Sequence, residues 1–234
     1  MLKPFFTYFG GKYRLAPRYP APAYSTIFEP FAGSAGYSLR HPDRKVILCE
    51  RDDRLRSMWE WLIRSSGSEV RSLPLLEQGQ SVDDLKVIPE AATLIGFWCN
   101  KATTHPSKRL SAWSRDYPKQ FWGAEIRERV ASQIGAIGHW KVYSDFRKVD
   151  GWGTWFIDPP YQSQGHRYRE HDTDYVELHD WCASRLGQVM VCEDSAATWG
   201  PFKPFREAKS RLGKCSEVLW HFETRADPCA FGYE

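Results

Sequence analysis

The sharpest chemistry in the chain is carried by four consecutive residues, Asp158-Pro159-Pro160-Tyr161, which follow the apolar run Trp155-Phe156-Ile157. Two prolines cannot continue a central strand, so the chain must turn at this point. Pro159 then presents a carbonyl acceptor, Asp158 adds a carboxylate beside it, and Tyr161 adds a flat ring. Two acceptors and a stacking face complement a planar group that bears an NH₂. The carboxyl end of a strand is also where open α/β sheets place their ligands.

A second constellation lies near the N-terminus. The run at 25–28 is β-branched and aromatic, and Glu29-Pro30-Phe31-Ala32-Gly33-Ser34-Ala35-Gly36 follows it. Glycines after a strand let the backbone approach a ligand closely. Taken alone, this loop is equally well read as a structural turn. Glu50 closes the next apolar run, 17 residues after Gly33. A carboxylate there can accept from both ribose hydroxyls of a nucleoside-type cofactor, or can simply end a strand in solvent. The spacing Gly33-x-x-Gly36 does not fit the dinucleotide fingerprint, which favours a nucleoside cofactor without a pyrophosphate. Other chemistries are excluded. Gly10-Gly11-Lys12 continues into Tyr13 in place of Ser or Thr, and the position five before Gly11 is Phe6 in place of Gly, so it is not a phosphate loop. No GxSxG nucleophile elbow occurs. The six cysteines form no CxxC pair, which leaves neither a zinc cage nor a disulfide framework. His166 and His171 read as solvent-exposed loop residues.

The elements that must position these residues alternate between strand and helix. Strands are expected at 25–28, 46–49, 140–143, 154–157, 188–192 and 218–222. Their short, continuous apolar runs suit a covered, mostly parallel sheet. Helical stripes occur at 53–64 (Leu55, Met58, Trp59, Leu62, Ile63) and 124–137 (Ile126, Val130, Ile134, Ile137). Asp174-Tyr175-Val176-Glu177 has the form of a capping box that opens a helix through Leu178, Trp181 and Leu186. This alternation predicts an α/β fold. The second and third strands are separated by about 85 residues, too many for a simple crossover, so 54–138 is expected to be an inserted, mostly helical subdomain.

The 234 residues suffice for one core with a modest insertion. Net charge is +3 and mean hydropathy −0.55, ordinary for a soluble protein. No apolar run reaches the roughly 18 residues of a membrane helix. Met1-Leu2-Lys3-Pro4-Phe5-Phe6 lacks a signal-peptide apolar region, so the expected setting is cytoplasmic. Aromatics, at 15 %, are abundant; they build cores, but they also stack on bases.

Asp158-Pro159-Pro160-Tyr161, the loop at 28–36 and the N-terminal Tyr8-Phe9-Gly10-Gly11-Lys12 together resemble the Dam-type (D12 class) DNA adenine-N6 methyltransferases, and the compact phage and prophage members most. Motif order agrees along nearly the whole chain. The resemblance implies a Rossmann-like, S-adenosylmethionine-dependent methyltransferase core over 1–53 and 139–234, with 54–138 as the DNA target recognition domain. It implies that Phe31, Ala32, Gly33 and Gly36 line the methionine moiety and that Glu50 holds the ribose. Asp145 and Phe146 would contact the adenine of the cofactor, Tyr8, Gly11 and Lys12 would close over it, and Asp158 would also border it. Asp158, Pro159, Pro160 and Tyr161 would hold a flipped-out adenine of double-stranded DNA for methylation at N6, with S-adenosylhomocysteine as product. No metal is implied. The expected setting is a bacterial or phage-infected cell, and the expected state a monomer or weak dimer. The same clamp would serve N4 of cytosine or an RNA adenine, and an inactive DNA-binding homologue is a third reading.

Within 101–119, Lys101, Lys108, Arg109, Arg115 and Lys119 exceed Asp116 by four charges. Such a run can be a solvated face. Interleaved Trp113, Tyr117, Phe121 and Trp122 favour nucleic-acid contact, with Lys101, Lys108, Arg109, Trp113, Arg115 and Lys119 as the candidate DNA-binding set. The polar segment 162–169 is expected to be mobile and to close over the bound base.

Overall fold

The computed structural model describes residues 1–210 and 213–224. Seven strands form one mixed sheet: β1 (Thr26–Glu29), β2 (Lys45–Cys49), β3 (Lys141–Tyr143), β4 (Trp152–Ile157), β5 (Leu186–Asp194), β6 (Lys203–Ser210) and β7 (Gly213–Glu223). Their order across the sheet is β3-β2-β1-β4-β5-β7-β6. The first five run parallel, and β7 pairs antiparallel with both β5 and β6. The fold is therefore α/β, as the alternation of elements predicts. The hairpin of β6 and β7 adds an antiparallel edge, and β6 had no counterpart among the expected strands.

Side chains alternate between two covered faces. Ile27, Phe156, Met190 and Cys192 face one side, while Phe28, Trp155, Ile157, Val189 and Val191 face the other. The second side is covered by α5 (Tyr175–Ala183) through Leu178 and Cys182. The first is covered by the N-terminal segment and by α1 (Asp53–Arg64), α2 (Gly67–Ser72), α3 (Pro89–Cys99) and α4 (Ala124–Gln133). In α1 the buried positions Leu55, Met58, Trp59 and Leu62 make one stripe, and the Asp52 carboxylate caps the Arg54 N–H. The stretch 54–138 is helical throughout its regular elements. Its buried side chains, including Trp59, Leu94, Phe97 and Val130, belong to the same cluster as Phe6, Ile27 and Leu48 of the sheet side.

Two expectations about helices are corrected. α5 does open at Asp174, whose carboxylate accepts from the Val176 and Glu177 N–H groups. It closes at Ala183, however, where the Ser184 N–H returns to the Asp180 carbonyl. Leu186 begins β5 instead, opposite Trp152. Glu177 does not complete the capping box, because its carboxylate is engaged by the Arg147 guanidinium. The stripe at 124–137 is α for its first ten residues and then tightens to a 3-10 turn at Ile134–Ile137. Among the described residues no helix is long and apolar enough to cross a membrane.

Candidate active site at the carboxyl edge of the sheet

Strand order reverses between β1 and β4, which leaves a crevice beyond their carboxyl ends. A cavity of about 420 Å³ occupies this position. Each residue assigned above to a cofactor lines it. Tyr8, Gly11 and Lys12 come from the N-terminal element, and Phe31, Ala32, Gly33 and Gly36 from the loop after β1. Glu50 stands at the end of β2, Asp145 and Phe146 after β3, and Asp158 after β4. The Phe31 and Phe146 rings face each other at 5.1 Å, an aromatic pair on the wall.

The loop after β1 is fixed from two sides. Gly33 N–H donates to Glu50 Oε2 at 3.0 Å, and its carbonyl accepts from Trp59 Nε1 at 2.9 Å. Gly33 has φ +46°, and a Cβ there would lie 3.1 Å from the Tyr8 ring. At Gly36 a Cβ would fall 2.5 Å from the Tyr13 backbone nitrogen, so glycine lets the N-terminal element lie directly on the loop. Glu50 Oε1 also accepts from Asp52 N–H at 3.1 Å. Each carboxylate oxygen thus keeps one lone-pair direction for a ligand. Burial pushes the Glu50 carboxyl up to about 7, against the backbone donors that favour its charge. Glu29, which lines the cavity, is pushed up to about 8 by burial and accepts from the Ser38 N–H.

Asp158 is not free. Lys12 Nζ donates to both its oxygens, at 2.7 and 2.9 Å, and to the Gly10 carbonyl at 3.1 Å. The same ammonium stands 3.7 Å from Glu217 Oε1 and 4.8 Å above the centre of the Tyr161 ring. Burial raises the Asp158 carboxyl above its ordinary value, while Lys12 pulls it back. Burial alone would lower Lys12, but Asp158 and Glu217 outweigh it and hold the ammonium protonated. Tyr161 donates its hydroxyl to Glu217 Oε1 at 3.0 Å, and Tyr19 donates to the same oxygen at 2.6 Å. Pro160 lines the cavity, whereas Pro159 is buried and, with Tyr161, stands outside the lining set. Among the described residues the Pro159 carbonyl accepts no hydrogen bond, whereas that of Pro160 accepts from the Tyr175 hydroxyl at 2.7 Å.

Sequence reasoning missed Glu217. β7 runs antiparallel to its neighbour, so its early residues arrive at the edge where β4 and β5 end. Glu193 was missed as well. Fully buried, it accepts from Gln162 N–H at 2.8 Å and Trp199 Nε1 at 3.0 Å, and thereby fixes the chain leaving Tyr161. The segment 162–169 is anchored at its other end by Arg169, which pairs with Asp53 at 2.6 Å and Asp52 at 3.3 Å. Tyr168 and Arg169 line the cavity, and His166 and His171 are exposed.

The candidate DNA residues lie on the surface of 100–120. Lys108 is paired with Asp83 at 2.6 Å and Lys119 with Glu125 at 3.2 Å. Lys101, Arg109 and Arg115 have no carboxylate partner among the described residues. Trp113 and Tyr117 are exposed. Phe121 and Trp122 are buried instead, and Trp122 Nε1 donates to the Pro74 carbonyl at 2.9 Å, so these two aromatics build core.

Fold and site together define an α/β protein with a cavity at the switch between β1 and β4 and a buried acid–base cluster on its wall. Comparison with family models and with curated proteins returns no match to this chain. Among the described residues no three His, Cys, Asp or Glu side chains are grouped to hold a metal ion.

Proposed function

We propose that the chain is a DNA adenine-N6 methyltransferase that uses S-adenosylmethionine, built on a Rossmann-like core with 54–138 as its target recognition domain. The observation that carries this reading is the position of Asp158. Its carboxylate lines the cavity at the end of β4, held by the Lys12 ammonium that also lies over the Tyr161 ring, and the carbonyl of the next residue, Pro159, accepts no hydrogen bond among the described residues. The cavity suits the nucleoside cofactor by its donor set. Glu50 offers two carboxylate oxygens, Phe31 and Phe146 offer ring faces, and the formal charges of Lys12, Asp158 and Glu217 sum to minus one, which favours a cation. S-adenosylmethionine would supply an electrophilic methyl group on a cationic sulfur.

The adenine must leave the duplex to reach this wall, at a cost of a few kcal/mol. Lys12 occupies both acceptor oxygens of Asp158 and one face of Tyr161. The incoming amine therefore displaces the ammonium before it can donate to Asp158 and to the Pro159 carbonyl. Holding both N–H bonds turns the nitrogen lone pair out of the ring plane. Tyr161, with its hydroxyl fixed by Glu217, then offers its ring for stacking. Positioning and electrostatics provide the catalysis, without a covalent enzyme intermediate. The surplus proton leaves the nitrogen along its hydrogen bond to Asp158. Lys101, Arg109 and Arg115, which have no carboxylate partner among the described residues, supply charge toward the phosphates.

Asp158→Ala tests the reading. Tritiated-methyl transfer to DNA should vanish, while calorimetric binding of the cofactor persists. Wild-type transfer by this variant would overturn it.

A further inference from the structure

A second groove lies outside the catalytic cavity. Asn100, Lys101, Ser111, Trp113, Tyr117, Gln120 and Phe121 line it, with a volume of about 390 Å³. Trp113 is 62 % exposed and Tyr117 50 %, and their rings stack at 6.3 Å with 30° between planes. Two large aromatics left in water beside each other lose the burial that normally offsets their exposure. Phe121, 3 % exposed, contributes a buried ring, and Lys101 Nζ stands 5.4 Å over it. The polar lining carries the Lys101 ammonium, which donates to Gln120 Oε1, the Asn100 amide, whose Oδ1 accepts from the Lys101 N–H at 2.8 Å, and the hydroxyl of Ser111. The Ser111 Oγ has no hydrogen-bond partner, although it is withdrawn from solvent. Such an orphaned hydroxyl in a native groove asks for a ligand. Positive charge stands at the groove: Lys101, which lines it, has no carboxylate partner among the described residues, and Arg14 is close enough to press on its charge.

Stacked rings, amide and hydroxyl groups for a base edge, and an uncompensated ammonium for a phosphate are the complement of a nucleotide. The groove is also tied to the catalytic cavity. Phe9, on the cavity wall, donates its N–H to the Thr103 carbonyl at 3.2 Å, and Thr7 Oγ1 donates to the Asn100 carbonyl at 3.3 Å. Three residues of chain between Thr103 and Asn100 span at most about 11 Å. We propose that this groove takes a second unstacked nucleobase of the DNA substrate, one that flanks the methylated base, stacked on Trp113 and Tyr117 with its edge toward Ser111, Asn100 and Gln120. The proposal rests on the DNA methyltransferase reading and adds a base-binding subsite to it.

The full chain is titrated with a fluorescein-labelled single-stranded 12-mer of thymidine, and with a 12-mer of the same phosphate number made from abasic tetrahydrofuran units. Thymine has no exocyclic amine, so the Asp158 clamp is not addressed. The wild-type chain should prefer the thymidine strand. The exposed pair changed together, Trp113→Ala with Tyr117→Ala, should weaken thymidine binding about 5- to 150-fold, the range that one to three kcal/mol of base stacking gives. Abasic binding and the salt slope should stay unchanged, because no phosphate contact is removed. Ser111→Ala should weaken the thymidine strand several-fold without changing the abasic one. Equal losses on both strands, or no loss on either, overturns the proposal. So does self-association in sedimentation that the double variant abolishes, which would assign the groove to a second copy. Wild-type methyl transfer to duplex DNA is measured alongside. Transfer with no base-dependent loss removes the subsite alone, whereas absence of transfer removes the reading beneath it.

Discussion

Replacing Lys12 with Met is the perturbation whose size the structure defines best. The ammonium lies 2.7 Å from Asp158, with side chains only 10 % and 20 % exposed, and 3.7 Å from Glu217, whose side chain is 13 % exposed. Formally one cation faces two carboxylates; the methionine leaves two carboxylates facing each other. Removing one partner of a buried ion pair destabilises by about 3–5 kcal/mol. The native state can limit this loss by protonating Asp158. At pH 7 that protonation costs about 4 kcal/mol relative to a carboxyl of ordinary value near 3.9. The expected deficit at pH 7 is therefore about 3–4 kcal/mol. Its pH dependence has a fixed sign. Burial already raises Asp158 in the native state, and loss of Lys12 raises it further. The variant's native state then binds more protons than its unfolded chain, and rising pH strips them. The deficit grows with pH above the ordinary carboxyl value and shrinks by up to about 1.4 kcal/mol per unit as pH falls toward 5. Methyl transfer should move the opposite way, because the amine needs an ionised Asp158 as acceptor. Urea unfolding at pH 5, 6, 7 and 8, beside single-turnover methylation, measures both. A deficit below about 1 kcal/mol, or one flat across that range, refutes the reasoning.

Glu50 is pushed up to about 7 by burial, so cofactor affinity should strengthen between pH 6 and 8 as the carboxylate forms, and Glu50→Gln should bind weakly with a flat profile in calorimetry. An unchanged profile in that variant would place the ribose elsewhere. Glu217→Ala frees the Tyr161 and Tyr19 hydroxyls; kcat should fall about 10-fold or more with the cofactor dissociation constant within about 2-fold, and Glu217→Gln, which keeps an acceptor, should recover most of the rate. Equal effects of the two variants would contradict a positioning role. Neutralising Arg109 and Arg115 together should lower the slope of log K against log salt by up to about 1.8 on duplex DNA, whereas neutralising Lys108, already paired with Asp83, should change it less.

The features legible in the sequence are those that local sterics dictate. Asp158-Pro159-Pro160-Tyr161 announces a strand end because prolines cannot extend β4, and the glycines at 33 and 36 mark a loop that lies against other backbone. Residues joined only by topology were not legible. Glu217 lies 59 positions beyond Asp158 and reaches it because β7 runs antiparallel, which no spacing rule encodes. α3 escaped notice because its residues from Leu94 to Cys99 are buried all round, leaving no period to detect. β6 begins Lys203-Pro204-Phe205-Arg206 and, as an edge strand, carries charge and proline in place of an apolar run. Phe121 and Trp122 resembled the exposed pair Trp113 and Tyr117 in composition, and only packing separates them.

The most direct measurement of the central claim is mass spectrometry of nucleosides from DNA incubated with the purified chain and deuterated-methyl S-adenosylmethionine. Labelled N6-methyladenine is the expected product, lost in Asp158→Ala. Label on N4 of cytosine would move the target, and unlabelled DNA, together with an absence of cofactor binding, would contradict the account.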